Sequence, residues 1–118
     1  MRKLILAIGM IMAMPVAASA ADAEAGKLVF NKCKACHVIG KNAVGPNLQG
    51  VVGRKSGTVE GYKYSEAMAK ADLTWDEATI KEYLADPKKK VPGNKMVFAG
   101  IKDPVDEDNL IEYLKTLK

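Results

Sequence analysis

The pentapeptide Cys33-Lys34-Ala35-Cys36-His37 constrains this chain more than any other stretch, because it dictates what the fold must be built around. Two thiols separated by two residues can each add to a vinyl group of one porphyrin, and the adjacent imidazole then meets one face of the iron. That is the pattern of c-type haem attachment. Other uses of the same residues fit less well. A structural zinc site takes four ligands, and the chain has two cysteines and one histidine in all. A redox Cys-x-x-Cys of the thioredoxin kind sits in a strand–helix–strand context, whereas the flanks here carry a helical pattern. A simple Cys33–Cys36 disulfide accounts for the thiols but leaves His37 unexplained. The motif names a cofactor and not yet an activity, since haem carries electrons, binds gas or activates oxygen according to its second axial position.

The amino terminus is consistent with haem attachment outside the cytoplasm. Arg2 and Lys3 precede an apolar run from Leu4 to about Met14, followed by Pro15 and the small-residue site Ala18-Ser19-Ala20. This is the layout of a cleavable secretory signal. The run is shorter than the roughly 20 residues of a membrane-spanning helix, and Pro15 interrupts it. Residues 1–20 are therefore expected to be a signal peptide cleaved after Ala20, leaving one domain over 21–118 in the periplasm. About 98 residues is a small size for a purely hydrophobic core, and a buried haem supplies apolar surface that the few aromatic residues do not.

Charge says less by its total than by its distribution. The net +4 includes Arg2 and Lys3, leaving about +2 beyond the signal. Lysines gather near the motif (Lys32, Lys34) and around Lys88-Lys89-Lys90, Lys95 and Lys102, while Asp103, Asp106, Glu107, Asp108 and Glu112 cluster toward the carboxyl end. Nucleic-acid binding is disfavoured, because the lysine run lacks interleaved aromatics and arginine is scarce.

Hydrophobic spacing predicts an all-α domain of about four to five helices with no strands. Val29, Phe30 and Cys33 fall at helical spacing within Asp22–Lys34, and Gly26, a costly helix residue, marks a close helix crossing. The glycine-rich stretch from His37 to Lys63 reads as loops wrapped around something. Ser65 caps a short helix to about Ala71. Thr74-Trp75-Asp76-Glu77 resembles a capping box opening a helix through Ile80, Tyr83 and Leu84, which Pro87 ends at Asp86. Asp103 and Pro104 start the last helix, with Asp106 and Glu107 at its positive end and an apolar stripe of Leu110, Tyr113, Leu114 and Leu117.

A six-coordinate electron-transfer haem pairs His with Met or with a second His, and no second histidine exists. Four of the six methionines lie in the signal segment, which leaves Met68 and Met96. Met68 sits in a short helix between alanines, where core packing is the default role. Met96 lies in a loop that can reach across a flat cofactor.

Taken together, Cys33-Lys34-Ala35-Cys36-His37, Gly45-Pro46-Asn47-Leu48 and Asp86-Pro87-Lys88-Lys89-Lys90-Val91-Pro92-Gly93-Asn94-Lys95-Met96-Val97-Phe98 resemble class I cytochrome c. The resemblance is to the mitochondrial-type and bacterial cytochrome c2 branch, and it extends over the whole of 21–118, including Gly26, Phe30, Leu110 and Tyr113 at the crossing of the terminal helices. It implies a single-domain class I cytochrome c fold around one covalently bound haem c. Under it Cys33 and Cys36 form the thioethers, while His37 and Met96 are the axial iron ligands. The Pro46 carbonyl orients His37, Arg54, Tyr64 and Trp75 serve the haem propionates, and Tyr83 lies near the Met sulfur. Plainer roles exist for the last group: Trp75 as a helix anchor, Tyr83 as core, Arg54 as a surface charge. Asn94 and Met68 depart from the threonine and asparagine that many members carry there, and the segment between His37 and Gly45 is short.

The implied function is reversible one-electron transfer between membrane redox complexes of a respiratory or photosynthetic chain, with no substrate transformed. Lys32, Lys34, Lys88, Lys89, Lys95 and Lys102 are the expected docking residues of a monomer that does not insert into the membrane. A haem peroxidase, which needs an open distal position, and a haem-free thiol oxidoreductase are the rival classes.

Overall fold

The computed structural model describes Gly9 and residues 21–118; the expected signal peptide and its cleavage site otherwise lie outside the described residues. Five α-helices are present among them: α1 (Ala23–Val29), α2 (Glu66–Ala69), α3 (Glu77–Ala85), α4 (Pro87–Lys90) and α5 (Pro104–Lys115). No strand forms among the described residues; only isolated bridges join Val38 to Lys41 and Lys55 to Thr74.

Each helix starts where a side chain can satisfy a free backbone N–H. Asp22 accepts from the Glu24 N–H, Ser65 from Met68, Asp76 from Thr79 and Asp103 from Val105. The cap of α3 is thus Asp76 rather than the Thr74 of the expected capping box. Pro87 does end α3, and it also opens α4: the Asp86 carboxylate accepts from the Lys89 N–H, and proline at the first helical position forfeits no hydrogen bond. The lysine run is therefore a turn of helix and not an open loop.

The terminal helices α1 and α5 cross at Gly26. A Cβ there would lie 1.9 Å from the Asn109 carbonyl oxygen, so only glycine lets the two backbones approach this closely. The Asp22 N–H donates to Asn109 Oδ1 at 2.8 Å, and the Phe30 and Tyr113 rings meet at 5.2 Å between centroids. Phe30 and Leu110 are each 1 % exposed, burial that contributes about 2 kcal/mol per side chain. Ile111, outside the expected stripe, is buried as well, and so is Glu107, which the sequence places at the solvated helix start.

Candidate functional site

The motif is wound into position by the end of α1. The helix tightens into a 3₁₀ turn over Phe30–Lys32, and the Cys33 carbonyl then accepts from both the Cys36 and the His37 N–H at 3.1 and 2.8 Å. This winding turns Cys33, Cys36 and His37 toward one cavity. Its walls are mostly apolar, with Phe30, Leu48, Ile80, Leu84, Leu110 and Leu114 among them. Pro46, Arg54, Tyr64, Trp75, Tyr83 and Met96 line the same cavity, so every expected site residue faces one space. Met68 lines it too.

On one side stands His37. Its Nδ1 lies 3.0 Å from the Pro46 carbonyl oxygen, which leaves Nε2 as the nitrogen able to bind a metal. Burial pushes the imidazole below its ordinary range, and the Pro46 carbonyl works against that shift. The ring lies flat on Gly45, where a Cβ would come within 2.3 Å of His37 Cε1. Cys33 and Cys36 form no disulfide. Burial first, and then the neighbouring Cys36, push the Cys33 thiol up.

Met96 lies on a loop after α4. Its sulfur accepts a hydrogen bond from the Tyr83 hydroxyl at 3.3 Å. Burial pushes the Tyr83 phenol up to about 12, so it remains a donor throughout the neutral range. Tyr83 in turn packs against Trp75, with ring centroids 5.0 Å apart.

Trp75 is fixed by its main chain: its N–H donates to the Arg54 carbonyl and its own carbonyl accepts from Gly53, both at 2.8 Å. Arg54 donates from one terminal nitrogen to the Asn47 and Gln49 carbonyls at 3.0 and 3.1 Å. Its Nε is buried without a protein partner. Tyr64 accepts at its hydroxyl from the Val59 N–H at 3.0 Å. A buried guanidinium N–H beside an apolar cavity calls for an anionic acceptor. A flat apolar macrocycle with carboxylate arms fits that requirement, and the imidazole and thioether that line the same cavity are donors that would suit its iron.

The expected lysines divide into two groups. Lys32, Lys34, Lys88 and Lys89 make no ion pair among the described contacts, whereas the Lys95 ammonium bonds the Lys63 carbonyl and sits 4.5 Å from the Tyr62 ring centroid. Lys102 donates to the Ala85 and Ala99 carbonyls at 2.9 and 3.3 Å, and Lys90 pairs with Glu82. Spacing along the chain gives no sign of these carbonyl contacts, because backbone acceptors carry no side-chain signal.

The profile of the cytochrome c family matches residues 23–118. The chain belongs to the cytochrome c family. This cytochrome is 61 % identical over 100 residues to cytochrome c2 iso-2 of Magnetospirillum molischianum, covering 83 % of this chain and all of that relative. It is 62 % identical over 96 residues to cytochrome c-550 of Nitrobacter winogradskyi, covering 79 % of this chain and 88 % of the relative. Among solved structures, cytochrome cH from Methylobacterium extorquens superposes with a TM-score of 0.79 at 59 % identity, over 80 % of this chain and 98 % of that one. The cytochrome is a class I c-type protein of the bacterial c2 branch, with one covalently bound haem c as its cofactor. Its function is to carry electrons between redox complexes.

Proposed function

We propose that Cys33 and Cys36 hold the haem as thioethers, that His37 is its proximal and Met96 its distal ligand, and that no substrate is bound or transformed. When bound, the haem supplies one redox equivalent by cycling its iron between ferric and ferrous states. The observation that carries this reading is the convergence of two thiols, an imidazole with Nδ1 already engaged and a thioether bonded by Tyr83 on a single apolar cavity. Met96 places a soft neutral donor there, which favours the ferrous state, and the apolar walls disfavour the extra charge of the ferric one. Arg54, Tyr64 and Trp75 take the propionate side; the partnerless Arg54 Nε supports this.

Docking is proposed at the mouth of the cavity. Val44 and Val97 line it and are strongly exposed, Val97 at 94 %, forming an apolar centre. Lys32, Lys34, Lys88 and Lys89 offer free ammonium groups to acidic patches on membrane redox complexes. Lys95 and Lys102 add to the field while their ammoniums stay on backbone carbonyls. Such charges raise the association rate more than the affinity, which suits a carrier that must leave quickly. The chain acts as a periplasmic monomer after cleavage behind Ala20; no helix among the described residues is long and apolar enough to cross a membrane.

The test is the optical spectrum of the periplasmically matured protein. Covalent low-spin haem with a weak Fe–S charge-transfer band is expected, and the band is lost in Met96→Ala. High-spin haem at neutral pH would favour a peroxidase-like enzyme, and absence of haem would refute the reading.

A further inference from the structure

The loop that carries Met96 has no regular structure between Val91 and Ile101, so something other than a helix or sheet must fix the Met96 main chain. The Met96 N–H finds its partner in a side chain: Asn94 Oδ1 accepts it at 2.8 Å. The other end of that amide is also fully used. Asn94 Nδ2 donates to the Pro87 and Val91 carbonyls, both at 2.9 Å. Pro87 and Val91 are buried and frame α4, which packs directly on α3. Met96 is therefore referred to α3 twice, through its N–H by way of Asn94 and α4, and through its sulfur by way of Tyr83.

We propose that Asn94 is a positioning residue whose amide locks the distal-ligand loop onto α4 and so keeps the Met96 sulfur from leaving the iron. The proposal rests on Met96 being the distal ligand. The side-chain chemistry is specific: two donors must face two carbonyls while one acceptor faces an N–H, and at this length only asparagine supplies all three. Aspartate keeps the acceptor for Met96 but turns a charged oxygen toward the Pro87 and Val91 carbonyls. Threonine supplies one donor and one acceptor. Alanine supplies neither and leaves the Met96 N–H without its partner.

The experiment uses the matured ferric holoprotein and follows the rate at which added imidazole displaces the methionine. Asn94→Ala is expected to accelerate displacement about tenfold, the scale of one or two lost hydrogen bonds, with Asn94→Asp faster still and Asn94→Thr partly restored. Leu117→Ala, a destabilised variant remote from the loop, is the reference for a merely structural effect and should leave the rate near that of the parent. Amide exchange at Met96 in the unsubstituted ferrous protein gives a second readout, expected to be slow because the N–H is bonded. Rates in Asn94→Ala and Asn94→Asp no faster than in Leu117→Ala, or a Met96 amide exchanging like an open loop, would overturn the proposal. Retention of the Fe–S band in Met96→Ala would instead overturn the premise that Met96 is the ligand, and is distinguishable because it requires no Asn94 variant.

Discussion

The two faces of the haem cavity are built in opposite ways. On the His37 side, the thiols, the imidazole and the Pro46 carbonyl that orients it all come from one short run of chain, and main-chain bonds do the holding. On the Met96 side, the proposed ligand arrives from a distant loop and is held by the side chains of Asn94 and Tyr83. The first face is local; the second depends on tertiary packing. Loss of a side chain should accordingly be far more forgiving at Met96 than at His37, and the distal loop is where the chain can adjust its affinity for the two oxidation states.

The sharpest way to break this contrast is to delete each ligand in turn. His37→Ala is expected to abolish accumulation of covalent holoprotein in the periplasm, whereas Met96→Ala accumulates with haem attached, as judged by haem staining after denaturing electrophoresis. Next in size is Gly45→Ala. Its Cβ would collide with the His37 ring, forcing the imidazole off Pro46 and costing about 2 kcal/mol, measured as a fall in the thermal midpoint together with a shifted Soret band.

Tyr83→Phe acts on the other face and more gently. The hydroxyl draws electron density from the Met96 sulfur and thereby disfavours the ferric state, so its removal should lower the reduction potential by roughly 40 mV, the one-electron equivalent of about 1 kcal/mol. Protein-film voltammetry reads this directly; a rise in potential would reverse the role assigned to the bond. The smallest effect is expected from Glu107, which belongs to neither face. It is 4 % exposed and Oε2 has no partner. Burial raises its carboxyl above the ordinary 4.5, opposed by Lys81 and Lys102 and aided by Asp108 and Asp103. A raised folded-state value means the stability is fully present at pH below 4.5 and falls as the pH climbs through the folded value. Glu107→Gln should therefore stabilise the protein by about 0.5 kcal/mol at neutral pH, lose that advantage in acid, and leave the haem spectrum unchanged.

The same contrast explains what could be read from residue order. The Gly26 crossing, the Asp103-Pro104 helix start and the stop at Asp86 are all local statements about a few neighbouring residues, and each is found in the structure. What spacing could not show is which of two neighbouring groups wins, and where backbone acceptors and buried faces lie. Asp76 displaced Thr74 as the cap of α3 because two oxygen-bearing side chains compete two residues apart. α4 was hidden because Pro87 signals a helix end and a helix start alike. The Asn94 bonds to Pro87 and Val91, the Arg54 bonds to loop carbonyls, and the engagement of Lys95 and Lys102 all depend on backbone acceptors that no side-chain pattern advertises. Burial of Glu107 likewise follows from how α5 is rotated against its neighbours, not from its place in the first turn.

Met68 and Met96 are the only methionines beyond residue 20, and both line the cavity, so the distal assignment reduces to a choice between two methyl groups. The direct measurement is a methyl spectrum of the ferrous holoprotein labelled with ¹³C at the methionine methyls. One resonance driven far upfield by the porphyrin ring current, and missing from Met96→Leu while the Met68 signal stays near its ordinary position, is the predicted result. An upfield methyl that survives in Met96→Leu and disappears in Met68→Leu would contradict the account.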